Sequence, residues 1–501
     1  MDSALENYDT TATAPTATAP TATAPIATAP LPTNNNCFDV IVIGGGPSGS
    51  IAARYAKLNG ASGVLMIEEN SSIGIPVQCA GLLSVAAVRE AEIEPDDSFV
   101  LHSVSGADVY PPSEKFLPVR GKSTMAYVVS RSAFDQKSAK KAKEAGVEIW
   151  LKTKAIGMKR GPDPRKRIKI QNNEPDEKGT DEDKTGTNRE KIEITPPKNQ
   201  AAGSGPIIDA EFEEQDGWIL TVAGNGIIKT LFAKMIIAAD GANGRAAGWA
   251  GLSPCEKLLS GIQVDVEYDS KNPGAVEVFV GSAAPGFFAW TIPISDSVSR
   301  IGLAIDKEAA EKYNPISPQT AGKKVNAHSY LMEFLKRPEI ASKIQSEPSN
   351  LTAGNIPLGP MKKTYATGFL VVGDAAGQCK PISGGGIYPG AVAAKIAGKV
   401  AGQAVVENNF SEKKMAEYEK QWKTELQKEL DIGMLAHKYR TKMSDADMDG
   451  IFKEMNNPEM LAMITEYGDM DHPSILIRKI MFSKQAFKMM KLMKVFLKNL
   501  V

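Results

Sequence analysis

The chain has 501 residues, and its 58 Lys and Arg nearly balance its 59 Asp and Glu, which gives a formal net charge of −1. This balance argues against a nucleic-acid-binding protein, because such proteins normally carry a basic excess. A hydrophobic content of 42% excludes disorder of the whole chain. The four cysteines form no C-x-x-C pair and the four histidines no H-x-x-x-H pair, so we predict no metal site. The scattered cysteines also favour a location in the reducing cytoplasm.

Two segments of low complexity are predicted to lie outside the fold. Residues 11–30 repeat the unit TATAP, and proline at every fifth position favours an extended, solvated tail over 1–36. The tail lacks the basic start and apolar centre of a secretory signal. Residues 160–205 are charged and rich in Pro and Gly, which is typical of disorder. We interpret them as an insertion between two strands of one sheet, and a domain linker is the alternative.

The strongest local signal is the run FDVIVIGGGPSGSIAARYAKLNGASGVLMIEE, which predicts strand, glycine turn, helix and strand. Gly44, Gly46 and Gly49 fit the G-x-G-x-x-G pattern, in which the glycines allow a tight turn, a close pyrophosphate and helix packing. Ser48 lies in the first helical turn, where free N–H groups favour phosphate. Glu68 follows the second strand, where a carboxylate accepts hydrogen bonds from ribose hydroxyls. The segment therefore predicts dinucleotide binding.

Two later strands end in acidic turns. The run MIIAADGAN places Asp240 after an apolar strand, and FLVVGDAAG does the same for Asp374. In isolation, each run is better explained as a strand followed by an Asx turn. With the glycine motif, and in this order, the three resemble the motifs of flavoproteins of the aromatic-hydroxylase superfamily. That resemblance implies FAD, with Asp240 closing the phosphate side. Only one G-x-G-x-x-G is present, so we predict no separate NAD(P)H domain.

Four passages resemble the geranylgeranyl reductases, and among these the archaeal digeranylgeranylglycerophospholipid reductases. They are IGIPVQCAGLLS (73–84), VVSRSAFDQ (128–136), PGFFAWTIP (285–293) and GDAAGQCKPISGGGIYPGAVAAKIAG (373–398). The third passage departs from the family pattern P-x-x-Y-x-W-x-F-P, because Phe288 stands at the Tyr position and Ile292 at the Phe position. The missing phenol hydroxyl speaks against a proton donor at residue 288.

The resemblance implies a set of FAD contacts. The nucleotide half is contacted by Ser48, Glu68 and Arg131, and the adenine by the backbone of Ala155. The flavin side is contacted by Cys79, Ala80 and Leu82, the ribitol by Asp374, and the pyrimidine edge by the N–H groups of Gly386 and Ile387. A helix that begins at Gly386 and Ile387 would stabilise the negative charge of reduced flavin.

The resemblance also implies an apolar isoprenoid cavity with Phe288, Trp290 and Pro293 in its wall. The alternative is that 285–293 is an ordinary buried strand. Cys79 is either a small buried hydrophobic residue, which is common for a free cysteine, or a thiol that aids proton delivery beside the flavin. A redox pair of Cys79 with Cys379 would require their Cα atoms to lie within about 7 Å.

The C-terminal part is predicted to be helical, with a helix that begins after an N-cap at Ser411. Residues 475–501 alternate apolar residues with lysines and carry almost no acids, which is typical of a helix lying on an anionic membrane. The alternative is a helix that packs its apolar side on the protein. No apolar run is long enough for a transmembrane helix.

We predict an α/β fold, a Rossmann-like FAD-binding sheet with an interleaved α+β substrate domain and a helical C-terminal region. The predicted segments are a tail (1–36), a FAD-binding domain (37–99, 128–159, 206–255 and 351–404), an insertion (160–205), a substrate domain (100–127 and 256–350) and a helical region (405–501).

The predicted function is FAD-dependent saturation of geranylgeranyl chains in archaeal membrane lipids. The predicted location is the cytoplasm, with peripheral binding to the cytoplasmic face of the membrane. The external electron donor is a ferredoxin, a reduced deazaflavin or NAD(P)H. The alternatives are a flavin monooxygenase acting on an aromatic compound and a quinone-linked electron-transfer flavoprotein. The second alternative would carry an iron–sulfur cluster, and the sequence lacks the cysteine spacing for one.

Overall fold

The computed structural model describes residues 36–113, 115–165, 217–313 and 326–484. The tail predicted over 1–36 lies outside the described residues up to residue 35. The predicted insertion lies outside them from residue 166, and the C-terminal amphipathic segment from residue 485.

Strands and helices of the described ranges are numbered in chain order. The strands are β1 (Cys37–Ile43), β2 (Val64–Ile67), β3 (Leu82–Ser84), β4 (Val100–Val104), β5 (Gly106–Tyr110), β6 (Leu117–Arg120), β7 (Ala126–Val129), β8 (Glu148–Trp150), β9 (Lys154–Arg160), β10 (Trp218–Gly224), β11 (Ile227–Ala238), β12 (Lys257–Glu267), β13 (Ala275–Phe279), β14 (Ala289–Pro293), β15 (Val298–Ile305), β16 (Ser349–Leu358), β17 (Tyr365–Ala366) and β18 (Phe369–Val371). The helices are α1 (Pro47–Leu58), α2 (Val85–Glu90), α3 (Arg131–Glu144), α4 (Ala246–Trp249), α5 (Lys307–Tyr313), α6 (Ala327–Leu335), α7 (Pro338–Ala341), α8 (Ile387–Glu407), α9 (Glu412–Arg440), α10 (Asp445–Met455), α11 (Pro458–Tyr467) and α12 (Pro473–Met481).

A parallel sheet forms the first layer, with the strand order β18-β11-β1-β2-β8 and β17 antiparallel at its edge. Its central strands are continuous apolar runs, as expected for strands covered on both faces. Helices α1 and α8 pack together on one face. A β carbon on Gly398 would lie 2.3 Å from the carbonyl oxygen of Ala52, so only glycine allows the two helix axes this separation. Strands β10 and β9 extend the sheet in antiparallel fashion.

A second sheet of seven strands has the order β16-β12-β15-β14-β13-β5-β6. Strands β5 and β13 pair in parallel although about 170 residues separate Gly106 from Ala275, so distant segments of the chain build one sheet. Helix α6 packs on one face of this sheet. The other face adjoins an apolar cluster that also contains Leu82 of β3, Val104 of β4 and Val128 of β7, from the three-stranded sheet β3-β7-β4.

The C-terminal helices complete the fold. Ser411 caps α9 as predicted, because its side chain accepts a hydrogen bond from the backbone N–H of Lys414. Tyr418 and Trp422 of α9 are fully buried in the core of the parallel sheet, and the Tyr418 hydroxyl donates to the carbonyl of Val371 over 2.7 Å. In the described ranges, no helix has both the length and the apolar character needed to cross a membrane. The predicted fold class is confirmed.

Candidate active site

The glycine turn after β1 leaves one face open. A β carbon on Gly44 would lie 2.3 Å from the Ala239 carbonyl oxygen, and one on Gly49 would lie 2.0 Å from the Gly44 carbonyl oxygen. Both positions therefore exclude any side chain. Gly46 differs, since a β carbon there would meet no atom within 4 Å. Its open side faces away from the packed protein at the start of α1, where the helix presents unpaired N–H groups.

Glu68 follows β2 directly, as predicted, and its carboxylate lies against the glycine turn. Its Oε2 accepts from the backbone N–H of Gly45 over 2.9 Å, and its Oε1 accepts from the Asn70 side chain over 2.7 Å. The backbone N–H of Thr153 donates to the Glu68 carbonyl over 2.8 Å, so the start of β9, with Ala155, runs beside the same strand end. Sequence reasoning missed Asn70, whose position two residues after the acid is the only signal.

The two helix starts and the turn at Gly373 meet at Ser48. Its hydroxyl oxygen lies 2.5 Å from where a β carbon on Gly373 would be and 2.6 Å from one on Gly390. A β carbon on Gly386 would lie 2.5 Å from Oδ1 of Asp374. Ser48 of the glycine motif therefore lies beside Asp374 and Gly386, which both belong to the passage 373–398. Burial raises the pKa of Asp374, and the positive charge of Arg131 opposes part of that shift.

Helix α8 begins at Ile387, and Gly386 occupies its N-cap position without a side-chain cap. The first N–H groups of a helix have no partner within the helix, so this end can bind an acceptor. The preceding glycine loop is closed by a hydrogen bond from the N–H of Gly384 to the Lys380 carbonyl over 2.8 Å. The Lys380 ammonium forms a 2.5 Å ion pair with the buried carboxylate of Asp471, just before α12.

Arg131 and Cys79 form one cluster. Arg131 begins α3 and makes an ion pair with Asp135 over 3.0 Å. Burial lowers the pKa of Arg131, but the negative charge of Asp135 and hydrogen bonds to Asp135 and Cys79 outweigh this effect and raise the pKa above its usual value. The Cys79 sulfur accepts from the backbone N–H of Gly81 over 3.4 Å, and the Cys79 carbonyl accepts from Nε2 of Gln263 over 3.0 Å. Cys79 therefore lies between α3 and the seven-stranded sheet.

Two predicted residues have local structural contacts. One carboxylate oxygen of Asp240 accepts from the N–H groups of Arg245 and Ala246 over 2.7 and 2.9 Å, which caps α4. Its other oxygen is buried and has no hydrogen-bond partner among the described residues, and burial raises the Asp240 pKa. Ala155 pairs with Val222 at a register shift between β9 and β10. Cys379 is buried, and both Cys79 and Cys379 are free thiols.

The predicted substrate residues lie partly together. The rings of Phe287 and Phe288 stack with centroids 4.3 Å apart, and Phe288 meets Trp290 edge-on at 5.9 Å. These rings share an apolar cluster with Ala80, which the sequence assigns to the flavin side. Pro293 is buried, but strand alternation places it on the opposite face of β14 from Trp290.

Sequence reasoning missed Arg440, which lies in the last turn of α9. Its guanidinium donates to the carbonyls of Gly286, Ile382 and Pro381 over 3.1, 3.4 and 3.2 Å. It also lies 4.7 Å from the ring centroid of Phe287. The Arg440 side chain thus connects the aromatic passage (residues 285–293) to the glycine loop before α8. No local sequence pattern signals this contact, since 154 residues separate Arg440 from Gly286.

Comparison with known proteins identifies the family, although no family model matches the chain. The chain is 31% identical over 428 residues to the digeranylgeranylglycerophospholipid reductase of Methanococcus aeolicus, which covers 84% of this chain and 90% of that protein. The chain belongs to the digeranylgeranylglycerophospholipid reductase family. The resemblance carried by the four passages is confirmed, and family membership makes the protein an oxidoreductase.

One solved structure agrees with this assignment, and a second shares the fold. A geranylgeranyl bacteriochlorophyll reductase-like protein from Thermoplasma acidophilum matches with a TM-score of 0.68 and 25% identity, over 91% of this chain and 99% of that one. A flavin-dependent brominase matches with a TM-score of 0.53 and 17% identity, over 88% of this chain and 98% of that one. At that identity the brominase shares the fold alone. The reductase family therefore uses a fold that also occurs in flavin-dependent enzymes.

Proposed function

We propose that the protein is an FAD-dependent reductase that saturates the C=C bonds of geranylgeranyl chains in archaeal-type glycerophospholipids. One observation carries the proposal beyond the family name. The apolar cluster of Phe288 and Trp290 includes Ala80 and Leu82, so an aliphatic and aromatic wall adjoins the loop assigned to the flavin. Such a wall suits an isoprenoid chain, which offers no polar group along its length.

The residues described fit FAD. Gly46 leaves open space where a pyrophosphate would approach the N-terminus of α1, and Glu68 lies where an adenosine ribose would donate to it. Burial raises the pKa of Asp374, whose carboxyl lies beside Gly386 at the start of α8, where ribitol hydroxyls would hydrogen-bond to it. Gly386 and Ile387 would donate N–H groups to the pyrimidine edge. Bound reduced FAD would supply the hydride, and the protein would orient the alkene and exclude bulk solvent.

A glycine substitution tests the FAD site. Gly46→Ala adds a methyl group that meets no protein atom, so the apoprotein should keep its thermal stability while FAD affinity falls about tenfold or more. The matched control is Gly450→Ala in α10, where a β carbon also meets no atom within 4 Å. Fluorescence titration of apoprotein with FAD measures both affinities. Equal affinities of the two variants would reject the placement of the pyrophosphate.

The reaction is tested with purified protein reduced anaerobically by dithionite and mixed with unsaturated archaeal-type lipid. Mass spectrometry should find the mass of two hydrogen atoms added for each double bond saturated. Asp374→Ala protein, which we expect to lose the yellow flavin, serves as the inactive control. Absence of any mass gain with flavin-loaded protein would rule out the reductase proposal. Substrate-stimulated oxygen consumption with NAD(P)H would favour a monooxygenase instead.

The electron donor is proposed to be external, because the sequence has one G-x-G-x-x-G and that motif is assigned to FAD. A ferredoxin, a reduced deazaflavin and NAD(P)H can be compared directly by the rate at which each bleaches the flavin absorbance under anaerobic conditions. A donor that reduces the flavin and supports lipid saturation in the same mixture is the competent one.

A membrane-facing role is proposed for α12. Its Leu476 and Ile480 pack against the protein, whereas Ile477 and Met481 on the other side, and Phe482 after the helix, are 41%, 65% and 86% exposed. One side of the helix therefore packs on the protein while the other side is exposed. Arg478 and Lys479 lie next to the exposed apolar residues. Apolar and basic residues together favour the surface of an anionic bilayer.

Sedimentation with liposomes tests this docking. Phe482→Ser should reduce binding to vesicles that contain anionic lipid. The matched control is Val406→Ser, because Val406 is 69% exposed at the far end of α8. Equal binding by both variants would argue that α12 serves packing alone.

A further inference from the structure

Two buried polar side-chain atoms at the apolar cluster have no hydrogen-bond partner among the described residues. Trp290 is 8% exposed and Gln263 is 4% exposed, yet neither Nε1 of Trp290 nor Oε1 of Gln263 has a partner among the residues that the structure describes. Buried donors and acceptors in folded proteins are almost always paired, with protein or with water. The indole N–H is a donor and requires an acceptor, whereas the amide oxygen is an acceptor and requires a donor.

The two side chains are neighbours across a glycine. Trp290 of β14 pairs with Gly302 of β15, and Gly302 pairs with Gln263 of β12, so the three residues form one rung of the sheet. A β carbon on Gly302 would lie 2.8 Å from Cε2 of Trp290, the ring carbon bonded to Nε1, and 2.5 Å from Cβ of Gln263. Because Gly302 has no side chain, the indole ring of Trp290 and the side chain of Gln263 can occupy the space above it together.

This pair lies beside Cys79, in the loop that the resemblance assigns to the flavin. The amide nitrogen of Gln263 is already bound to the Cys79 carbonyl over 3.0 Å, which fixes the side chain and leaves its oxygen as the unpaired atom. Phe288, 5.9 Å from the Trp290 ring, has no hydroxyl. The surrounding cluster is aliphatic and aromatic, with members such as Leu82, Val128 and Ile292.

We propose that Nε1 of Trp290 and Oε1 of Gln263 bind one water molecule in the wall of the isoprenoid cavity, and that this water is the immediate proton source for lipid saturation. Water fits because it can accept from the indole N–H, donate one hydrogen to the amide oxygen, and keep its second hydrogen for the alkene. An isoprenoid chain is a hydrocarbon and has no acceptor or donor with which to pair these two atoms. The proton-source role rests on the proposed function, whereas the water site does not.

The chemistry balances in atoms and electrons. Saturation of one C=C bond takes a hydride, with its electron pair, from the reduced flavin at one carbon and a proton at the other. The proton comes from the bound water, whose O–H bond breaks, and the hydroxide left behind takes a proton from solvent. The hydrogen bond from Trp290 draws charge from the water oxygen and makes its remaining hydrogens more acidic. Trp290 and Gln263 are thus positioning residues that act through the water.

A crystal structure of the lipid-free protein tests the site itself. We expect electron density for a water about 3 Å from both atoms. Trp290→Phe, which keeps the aromatic ring, and Gln263→Met, which keeps the length of the side chain, should each lose that density. A direct hydrogen bond between the two side chains, or a dry site in the unaltered protein, would overturn the proposal.

Kinetics test the proton-source role. Trp290→Phe and Gln263→Met should each lower kcat for lipid saturation about tenfold with KM for the lipid unchanged, and Trp290→Phe should also leave FAD affinity unchanged. They should also raise the solvent deuterium isotope effect. The double variant should be no slower than either single variant, because both remove the same water. A raised KM with unchanged kcat would show that the pair holds a lipid oxygen, which would refute the role. If the unaltered protein saturates no lipid, the proposed function fails, and the crystal structure still decides the water site.

Discussion

Arg440 offers the sharpest test of how the helical C-terminal region supports the active site. Its guanidinium donates to carbonyls on both sides of the site, at Gly286 in the aromatic passage and at Pro381 and Ile382 in the glycine loop, and it covers the ring of Phe287. Arg440→Met keeps much of the length and removes every one of these bonds. We expect the glycine loop to loosen at the start of α8.

The magnitude follows from the contacts. Hydrogen bonds to a charged group contribute about 1.5–3 kcal/mol each, and a partly desolvated cation–π contact about 0.5–2 kcal/mol. The three bonds are long, at 3.1, 3.2 and 3.4 Å, so each belongs at the low end. Burial also lowers the pKa of Arg440 to about 10, so part of the gain is offset by desolvation. We expect a net loss of about 3 kcal/mol for Arg440→Met and about half of it for Arg440→Lys.

Thermal unfolding and FAD titration measure the effect. Arg440→Met should unfold at a lower temperature and bind FAD at least about tenfold more weakly, since a loss of about 1.4 kcal/mol at the loop suffices for that factor. The matched control is Lys438→Met, which removes one positive charge from an exposed position in the same helical turn. If both variants share one Tm and one FAD affinity, Arg440 does not brace the loop and the reasoning is wrong.

Two further predictions concern the fold around the site. Gly398→Ala should destabilise the protein by about 1–3 kcal/mol, because its methyl group would meet the Ala52 carbonyl between α1 and α8, whereas Gly450→Ala in a helix with open space should stabilise it by about 0.5–1 kcal/mol. Chemical denaturation measures both, and a Gly398→Ala variant as stable as the parent would contradict the close helix contact. Burial raises the pKa of Glu92, but hydrogen bonds and ion pairs from Tyr55 and Lys395 outweigh this effect and lower it from 4.5 to about 2. The folded pKa is the lower one, so Glu92 should stabilise the protein above about pH 4.5, and this contribution should disappear as the pH falls towards 2. The Tm difference between the parent and Glu92→Gln should therefore shrink over that interval, and a difference independent of pH would contradict the assignment.

Local features of the site could be predicted from the sequence. Glu68 and Ser48 are placed by a strand and a helix that their own segments specify, and Ser411 caps α9 because capping depends on the next three residues. Asp374 and Gly386 could be assigned to the site because both belong to the passage 373–398, which has a recognisable pattern of its own. These predictions needed no knowledge of how distant segments meet.

Contacts between distant segments could not be predicted. Gln263 and Trp290 become neighbours only when β12, β15 and β14 pair in one register, and a shift of one residue would turn each side chain to the other face. Alternation along β14 likewise separates Pro293 from Trp290, although both belong to one family motif. Gln263 carries no pattern of its own, so only the folded sheet shows that it matters.

The burial of Tyr418 and Trp422 in the first sheet has a consequence for biosynthesis. The core around β1 contains these two rings, about 380 residues further along the chain. During translation the nascent strands β1 and β2 emerge early, yet their apolar covering is complete only after α9 has left the ribosome. The growing chain must therefore keep a partly uncovered parallel sheet in solution for most of its synthesis, a state prone to aggregation. Chaperone protection of the nascent chain should matter more for this protein than for one whose domains close in sequence.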